Sequence, residues 1–213
     1  MPPNKENAMI TLYTWGTPNG QKISIMLEEC GLPYAVRPVD ITRNEQFDPD
    51  FLAVNPNNKI PAITDSDGPG GQAMNLFESG AILVYLAEKT GRFLPTAGAE
   101  RYAALQWLMF QMGGVGPIFG QTHHFLRFAP APVPYAIERY RKETARLYGV
   151  LDGQLGRQEY LAGDYSIADM ATYPWVMRHE WQGIDLAQYP HVARWASAVG
   201  QRPAVIRGMG VPA

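Results

Sequence analysis

Residues 55–79, NPNNKIPAITDSDGPGGQAMNLFES, constrain the chain more than any other stretch. A short apolar run over residues 60–63 carries Pro61 near its start. Proline has no N–H to give to a ladder, so it belongs at a strand start or on an edge. The Gly/Asp/Pro cluster over residues 65–71 is turn chemistry. A second short run, 73–77, leads straight into Glu78-Ser79-Gly80 and an apolar helix. A cis Ile60–Pro61 bond is expected, which would turn the Ile60 backbone outward, where it can pair with an extended peptide. N–H groups at the start of the next helix favour an anion, and Glu78 beside them can hold an ammonium. Taken singly, Pro61 reads equally as an edge-strand proline and Ser79 as an N-cap. Taken together, they make one small site for a peptide backbone, an α-carboxylate and an α-amine, the groups of a γ-glutamyl peptide.

The rest of the chain arranges itself around that stretch. Residues 9–15, MITLYTW, are β-branched and aromatic and read as a buried strand. Residues 16–20, GTPNG, break it, and then Ile23, Met26, Leu27 and Cys30 recur at helical spacing until Gly31. Residues 34–39 read as a second strand, which a helical crossover makes parallel to the first. Residues 49–54 form a short helix at most. The order over residues 9–90 is β-α-β-α-β-β-α, a small α/β layer with helices on a mixed four-stranded sheet. Residues 91–98, GRFLPTAG, read as a linker, and residues 99–213 as an all-helical domain. Its first long helix, to about residue 128, meets GGVGP at residues 113–117, which should kink it. Helices over residues 135–156, 166–181 and 191–200 follow, the second opened by a capping box at Ser166 and Asp169, with Tyr165 placed to staple onto Met170.

Composition excludes several functions. The 213 residues carry a net charge of −2 and no basic block, which argues against nucleic acid as a partner. No apolar run approaches a membrane span, and residues 1–8 lack the apolar core of a signal peptide and read as a flexible tail. A single cysteine permits no internal disulfide and fits a reducing cytoplasm. His123 and His124 are adjacent, so on a helix they diverge by about 100°; without further ligand spacing they imply no metal, and they are expected to line the cleft near the helix kink. The glycines of residues 113–120 follow a helix and have the wrong spacing for a dinucleotide fingerprint, so no nucleotide is expected.

Three motifs carry a resemblance: NPNNKIPAI at residues 55–63, FESGAIL at 77–83 and YSIAD at 165–169. With them the chain from Met9 onward resembles the glutathione transferase superfamily. That resemblance implies a thioredoxin-like N-terminal domain, an all-α C-terminal domain and a homodimer. A narrower set is TPNGQKI at residues 17–23, EQFDPDF at 45–51, LQWL with QMGGVGP at 105–117, HHF at 123–125 and PYAIERY at 134–140. That set is similar to the nu-class enzymes, glutathione-dependent disulfide-bond oxidoreductases.

The resemblance assigns roles residue by residue. Glu78 and Ser79 correspond to the γ-glutamyl contacts, Ile60, beside Pro61, to the backbone pair with the cysteinyl residue, and Gln46 to the glycyl end, with Asn58 and Lys59 near it. Arg139 matches an arginine that reaches glutathione. In thioredoxin-like folds the reactive group lies where the first strand meets the first helix. Here that place is Thr17-Pro18-Asn19-Gly20, so a C-x-x-C redox motif is ruled out. The Thr17 hydroxyl, the Asn19 amide and the helix N–H groups can donate to a sulfur anion and lower its pKa. Either residue can equally be the helix N-cap. The resemblance favours Asn19, with Thr17, as thiolate stabiliser. Tyr13 is the rival, and Ser24 is weaker. Cys30 sits at the wrong end of its helix for an activated thiolate and reads as structural.

The activity this implies is reduction of small-molecule or peptide disulfides by two non-covalently bound glutathiones, with glutathione as co-substrate. Conjugation of glutathione to electrophiles, or glutathione binding without turnover, are the alternatives.

Overall fold

The computed structural model describes residues 9–212; the tail read at residues 1–8 lies outside the described residues. The chain divides into two compact units, one reaching Arg92 and resuming at Arg202, the other Phe93–Gln201.

In the first unit, β1 (Ile10–Thr14), α1 (Pro18–Cys30) and β2 (Tyr34–Pro38) form a parallel crossover. α2 (Pro49–Leu52) follows, then β3 (Ala62–Asp65), β4 (Met74–Phe77) and α3 (Ser79–Thr90). The sheet order is β2-β1-β3-β4, with β3 antiparallel to both its neighbours. The Ile60–Pro61 bond is cis. Thr17 caps α1, Pro18 fills its first position, and Gly31 ends it at φ 67°, a conformation that costs glycine nothing. Nearly every position of α1 from Gly20 to Glu29 is buried. A helix wrapped on this many sides needs more cover than a sheet gives, and its partners are β1, α3 and the last helix, α9 (Pro203–Met209), of the chain.

That last packing departs from the sequence expectation, which placed everything after residue 98 in the helical domain and saw no helix after residue 200. Seven residues give too little periodicity to read. What fixes α9 is contact at a distance in sequence. Gly208 lies so close to α1 that a Cβ there would stand 2.6 Å from the Ile25 Cα. Ser24 Oγ donates to the Gly208 carbonyl at 2.6 Å and Gln21 Nε2 to the Met209 carbonyl at 2.9 Å. Arg202 holds Glu29 through two hydrogen bonds, 2.6 and 3.0 Å, and Arg207 holds Glu28 at 2.6 Å.

The second unit is helical: α4 (Gly98–Phe110), α5 (Gly116–His123), α6 (Pro134–Leu155), α7 (Ile167–Val176) and α8 (Pro190–Gly200). The expected kink after α4 is a wide helical turn, Gln111–Val115, bonded i to i+5, and a second such turn, His124–Phe128, follows α5. Pro117 has no N–H for the carbonyl of Gly113, which is the physical reason for the first. α5 and α6 lock through Phe119 stacked on Tyr148 at 4.9 Å and a Thr122–Thr144 hydroxyl contact of 2.7 Å.

Every residue of α7 is buried. Its start is the expected capping box: Asp169 accepts from the Ser166 N–H at 3.0 Å, and its other oxygen accepts from the Leu161 N–H and the Trp195 indole. Tyr165 lies edge-on to Phe93 and Tyr160. α7 stops at Val176, short of residue 181, where the Gln182 side chain returns to its C-terminal end, donating to the Trp175 carbonyl at 2.9 Å and accepting from the Tyr148 hydroxyl at 2.7 Å. Trp181 lies in a separate short turn, His179–Gln182.

Gly208→Ala is expected to cost about 1–3 kcal/mol, the range for overpacking a tight contact. Denaturant unfolding reads it, and an unchanged midpoint would mean that α9 does not dock on α1 in solution.

Candidate active site

Strand register brings the site loops to one end of the sheet. Thr14 pairs with Pro38, Tyr13 with Ala62, and Ala62 with Phe77. The turn before α1, the loop after β2, the approach to β3 and the exit from β4 therefore all leave from the same end. Those segments hold Thr17 and Asn19, Gln46, Asn58 to Pro61, and Glu78 and Ser79.

At the start of α1, the Thr17 oxygen accepts from the Gly20 N–H at 3.4 Å, so Thr17 is the N-cap and its own O–H is a donor still to be placed. Asn19 sits half-buried in the first turn. Gly20 is required there, because a Cβ would run into Thr14 Oγ1 and the Trp15 carbonyl.

Gln46 lies in a short turn, Glu45–Phe47, tied down where the Glu45 carboxylate accepts the Asp40 N–H at 2.8 Å. Its Oε1 is buried and accepts no hydrogen bond from the chain. An unpaired buried acceptor is costly, and a ligand N–H would satisfy it.

The approach to β3 is built by Asn55, which the sequence reading did not single out. Asn55 is buried; its amide donates to the Lys59 carbonyl at 2.5 Å and its oxygen accepts the Asn57 N–H at 2.9 Å. This clamp presents Asn58, at φ 49°, with the exposed Lys59 and the half-buried Ile60. Ile60 and Phe77 pack against a cluster of Tyr13, Val39, Phe51 and Ala62. Tyr13, the rival catalytic residue, is a member of that cluster, 8 % exposed with its ring 5.9 Å from Phe51.

Glu78 is exposed and holds φ 71° and ψ 109°, a region that favours glycine. Strain of this kind, about 1–3 kcal/mol, persists where surrounding structure over-determines it. The next residue, Ser79, is buried, and the ammonium of Lys22 donates to its Oγ at 3.2 Å. Lys22 was missed by sequence reasoning. It is 1 % exposed, and burial pushes its pKa from the ordinary 10.5 down to about 7, against the pull of the Glu78 carboxylate. The only signal in the sequence was its place in TPNGQKI, one turn past Asn19.

Other expected residues lie on other elements. Arg139 lies on α6 in the second unit, in a groove of about 680 Å³ shared with Tyr135, Glu138 and Glu143. His123 does not line a cleft. It is buried, stacked on Trp175 at 5.7 Å and bonded to Gln182 at 3.1 Å, and burial lowers its pKa to about 4. Cys30 is half-buried at the far end of α1, 3.5 Å from the Thr90 hydroxyl, and burial pushes its thiol pKa up.

This sheet order, with one parallel and two antiparallel pairings and a cis proline entering β3, defines a thioredoxin-like unit, and an all-helical unit accompanies it. Residues 17–89 match the model of the glutathione S-transferase N-terminal domain, and residues 120–203 that of the glutathione S-transferase C-terminal domain. The chain is 54 % identical over 198 residues to the disulfide-bond oxidoreductase YfcG of Escherichia coli K12, covering 92 % of each. It is 44 % identical to the disulfide-bond oxidoreductase YghU of the same organism, covering 93 % of this chain and 73 % of that one. Among solved structures, a glutathione transferase family member from Pseudomonas fluorescens Pf-5, with two glutathiones bound, superposes with a TM-score of 0.93 at 49 % identity, covering 99 % and 96 % of the two chains. A glutathione transferase from Pseudomonas putida, with one glutathione disulfide bound per subunit, gives 0.92 at 46 %, covering 99 % and 95 %. The chain belongs to the glutathione S-transferase family.

The Lys22 pKa has a consequence for stability. Its folded value lies below its unfolded one, so between about pH 7 and about pH 10 the folded chain holds fewer protons and Lys22's contribution to stability improves as pH rises. Wild type is expected to gain on Lys22→Met in thermal melts taken at the two ends of that window. A constant difference would mean that Lys22 is not desolvated in solution.

Proposed function

We propose that the protein is a glutathione-dependent disulfide-bond reductase in which both reacting thiols belong to glutathione. The observation that carries this is the placement of the lone cysteine. The start of α1 holds Thr17, Pro18 and Asn19, while Cys30 lies at the opposite end of the helix with its thiol pKa raised. A protein-thiol mechanism needs the reverse, a low-pKa cysteine at a helix N-terminus. The Pseudomonas relatives, with two glutathiones or one glutathione disulfide bound, support the stoichiometry.

On this reading Ser79 and the first N–H groups of α3 take the α-carboxylate of the first glutathione, and Glu78 its ammonium. The Ile60 backbone pairs with the cysteinyl residue, and Gln46, Asn58 and Lys59 meet the glycyl end. Asn19 and Thr17 then donate to its sulfur, keeping it as thiolate at neutral pH. That thiolate attacks one sulfur of the substrate disulfide. The substrate S–S bond breaks, a mixed disulfide forms and one substrate thiolate leaves. The thiolate of the second glutathione attacks the glutathione sulfur of the mixed disulfide, releasing the other substrate thiolate and leaving glutathione disulfide. Two electrons pass from two glutathiones to the substrate, and the chain contributes position and charge.

Paired variants test this. Cys30→Ala is expected to keep most of the disulfide reductase activity measured with a model disulfide and glutathione. Asn19→Ala is expected to remain folded and lose about one to two orders of magnitude in rate, the equivalent of a charge-assisted bond of about 1.5–3 kcal/mol. If Cys30→Ala abolishes activity in a folded protein while Asn19→Ala does not, a protein thiol carries the reaction. Turnover of an aromatic halide with glutathione, without disulfide reduction, would instead make the chain a conjugating transferase.

A further inference from the structure

A buried lysine inside a ligand site is expensive to keep, because desolvation disfavours its charged form. Lys22 reaches from the second turn of α1 to the first residue of α3, with its Nζ 3.2 Å from Ser79 Oγ. A lysine needed only for solubility would lie on an exposed face, and α1 has little exposed face.

The charges around it are few. On α1, Glu28 and Glu29 are near the other end and are paired with Arg207 of α9 and with Arg202 just before it. On α3, Glu88 and Lys89 are in the last turn, and Lys89 is bound to Asp65 at 3.0 Å. β1 contributes only Tyr13, and β4 has no titratable residue. Glu78, next to Ser79, is the charge that acts on Lys22.

The start of α3 thus combines an exposed carboxylate with a buried ammonium. Alone, Glu78 would attract a ligand's ammonium and repel the carboxylate on the same carbon. We propose that Lys22 is a positioning residue of this site, its ammonium behind Ser79 offsetting Glu78 and making capture of the ligand's α-carboxylate depend on the proton that Lys22 holds. This rests on the reading of Glu78 and Ser79 as the γ-glutamyl pocket. The carboxylate would be separated from Nζ by one hydroxyl group. The ligand's ammonium would face a Glu78 that already carries the opposite charge. The carboxylate therefore dominates, and binding raises the proton affinity of Lys22.

The expected linkage follows from a free-site pKa of about 7. The empty site is mostly protonated at about pH 6 and mostly neutral at about pH 8, so affinity for S-methylglutathione should fall about tenfold between them. The S-methyl group removes the thiol's own titration. Calorimetry near neutral pH, in two buffers of different ionisation heat, should show about half a proton taken up per ligand bound. Lys22→Met should bind weakly with no slope, and Lys22→Arg, charged throughout, should bind tightly with no slope. An S-methylated analogue lacking the α-carboxylate but keeping the amine should show no slope on wild type, a readout that needs no variant to fold. A flat wild-type profile, or an equal slope in Lys22→Met or with the decarboxylated ligand, overturns the proposal. Absence of binding at every pH sinks the γ-glutamyl reading of the site instead.

Discussion

How α1 begins decides the rest of the first unit. Its first turn presses on the end of β1 so closely that Gly20 has no room for a Cβ beside Thr14 and Trp15. With that contact made, Pro18 and the Thr17 cap set the helix direction, and Asn19 lies in its first turn. Lys22, one turn further, reaches Ser79. The same helix is then closed from outside by α9, through Gly208 against Ile25. One buried helix links the end of β1 to the first residue of α3, and α9 holds it in place.

On the proposed mechanism no cysteine is needed at the head of α1. A thioredoxin-like unit offers a helix start, a cis proline entering β3 and a strained residue entering α3, and each of these exposes backbone groups to a peptide. A chain that recognises glutathione with those groups can borrow the ligand's thiol. Its remaining task is to supply donors to sulfur and to balance charge at the γ-glutamyl head, which small polar side chains and one buried ammonium can do.

Much of this was legible from local pattern. The order of elements, the Ile60–Pro61 entry, Glu78 with Ser79, and the Ser166–Asp169 box all rest on residues close together in the sequence, where turn and capping rules act. What escaped depends on contacts between distant segments. Lys22 reads as an ordinary helix lysine until α3 and α9 cover its helix. Asn55 reads as loop polarity until its amide is seen on the Lys59 carbonyl. α9 is too short for periodicity, and the end of α7 is set by Gln182 folding back onto it. His123 looked like a cleft residue because its aromatic neighbours, Trp175 and Trp181, lie more than fifty residues away in the sequence.

On the proposed mechanism the start of α1 stabilises a thiolate that the chain does not own. The direct measurement is the ionisation of glutathione bound to the Cys30→Ala protein, followed by thiolate absorbance in the ultraviolet as pH is varied, so that no protein thiol contributes. A midpoint well below that of free glutathione is expected. A midpoint equal to or above the free value would contradict that mechanism.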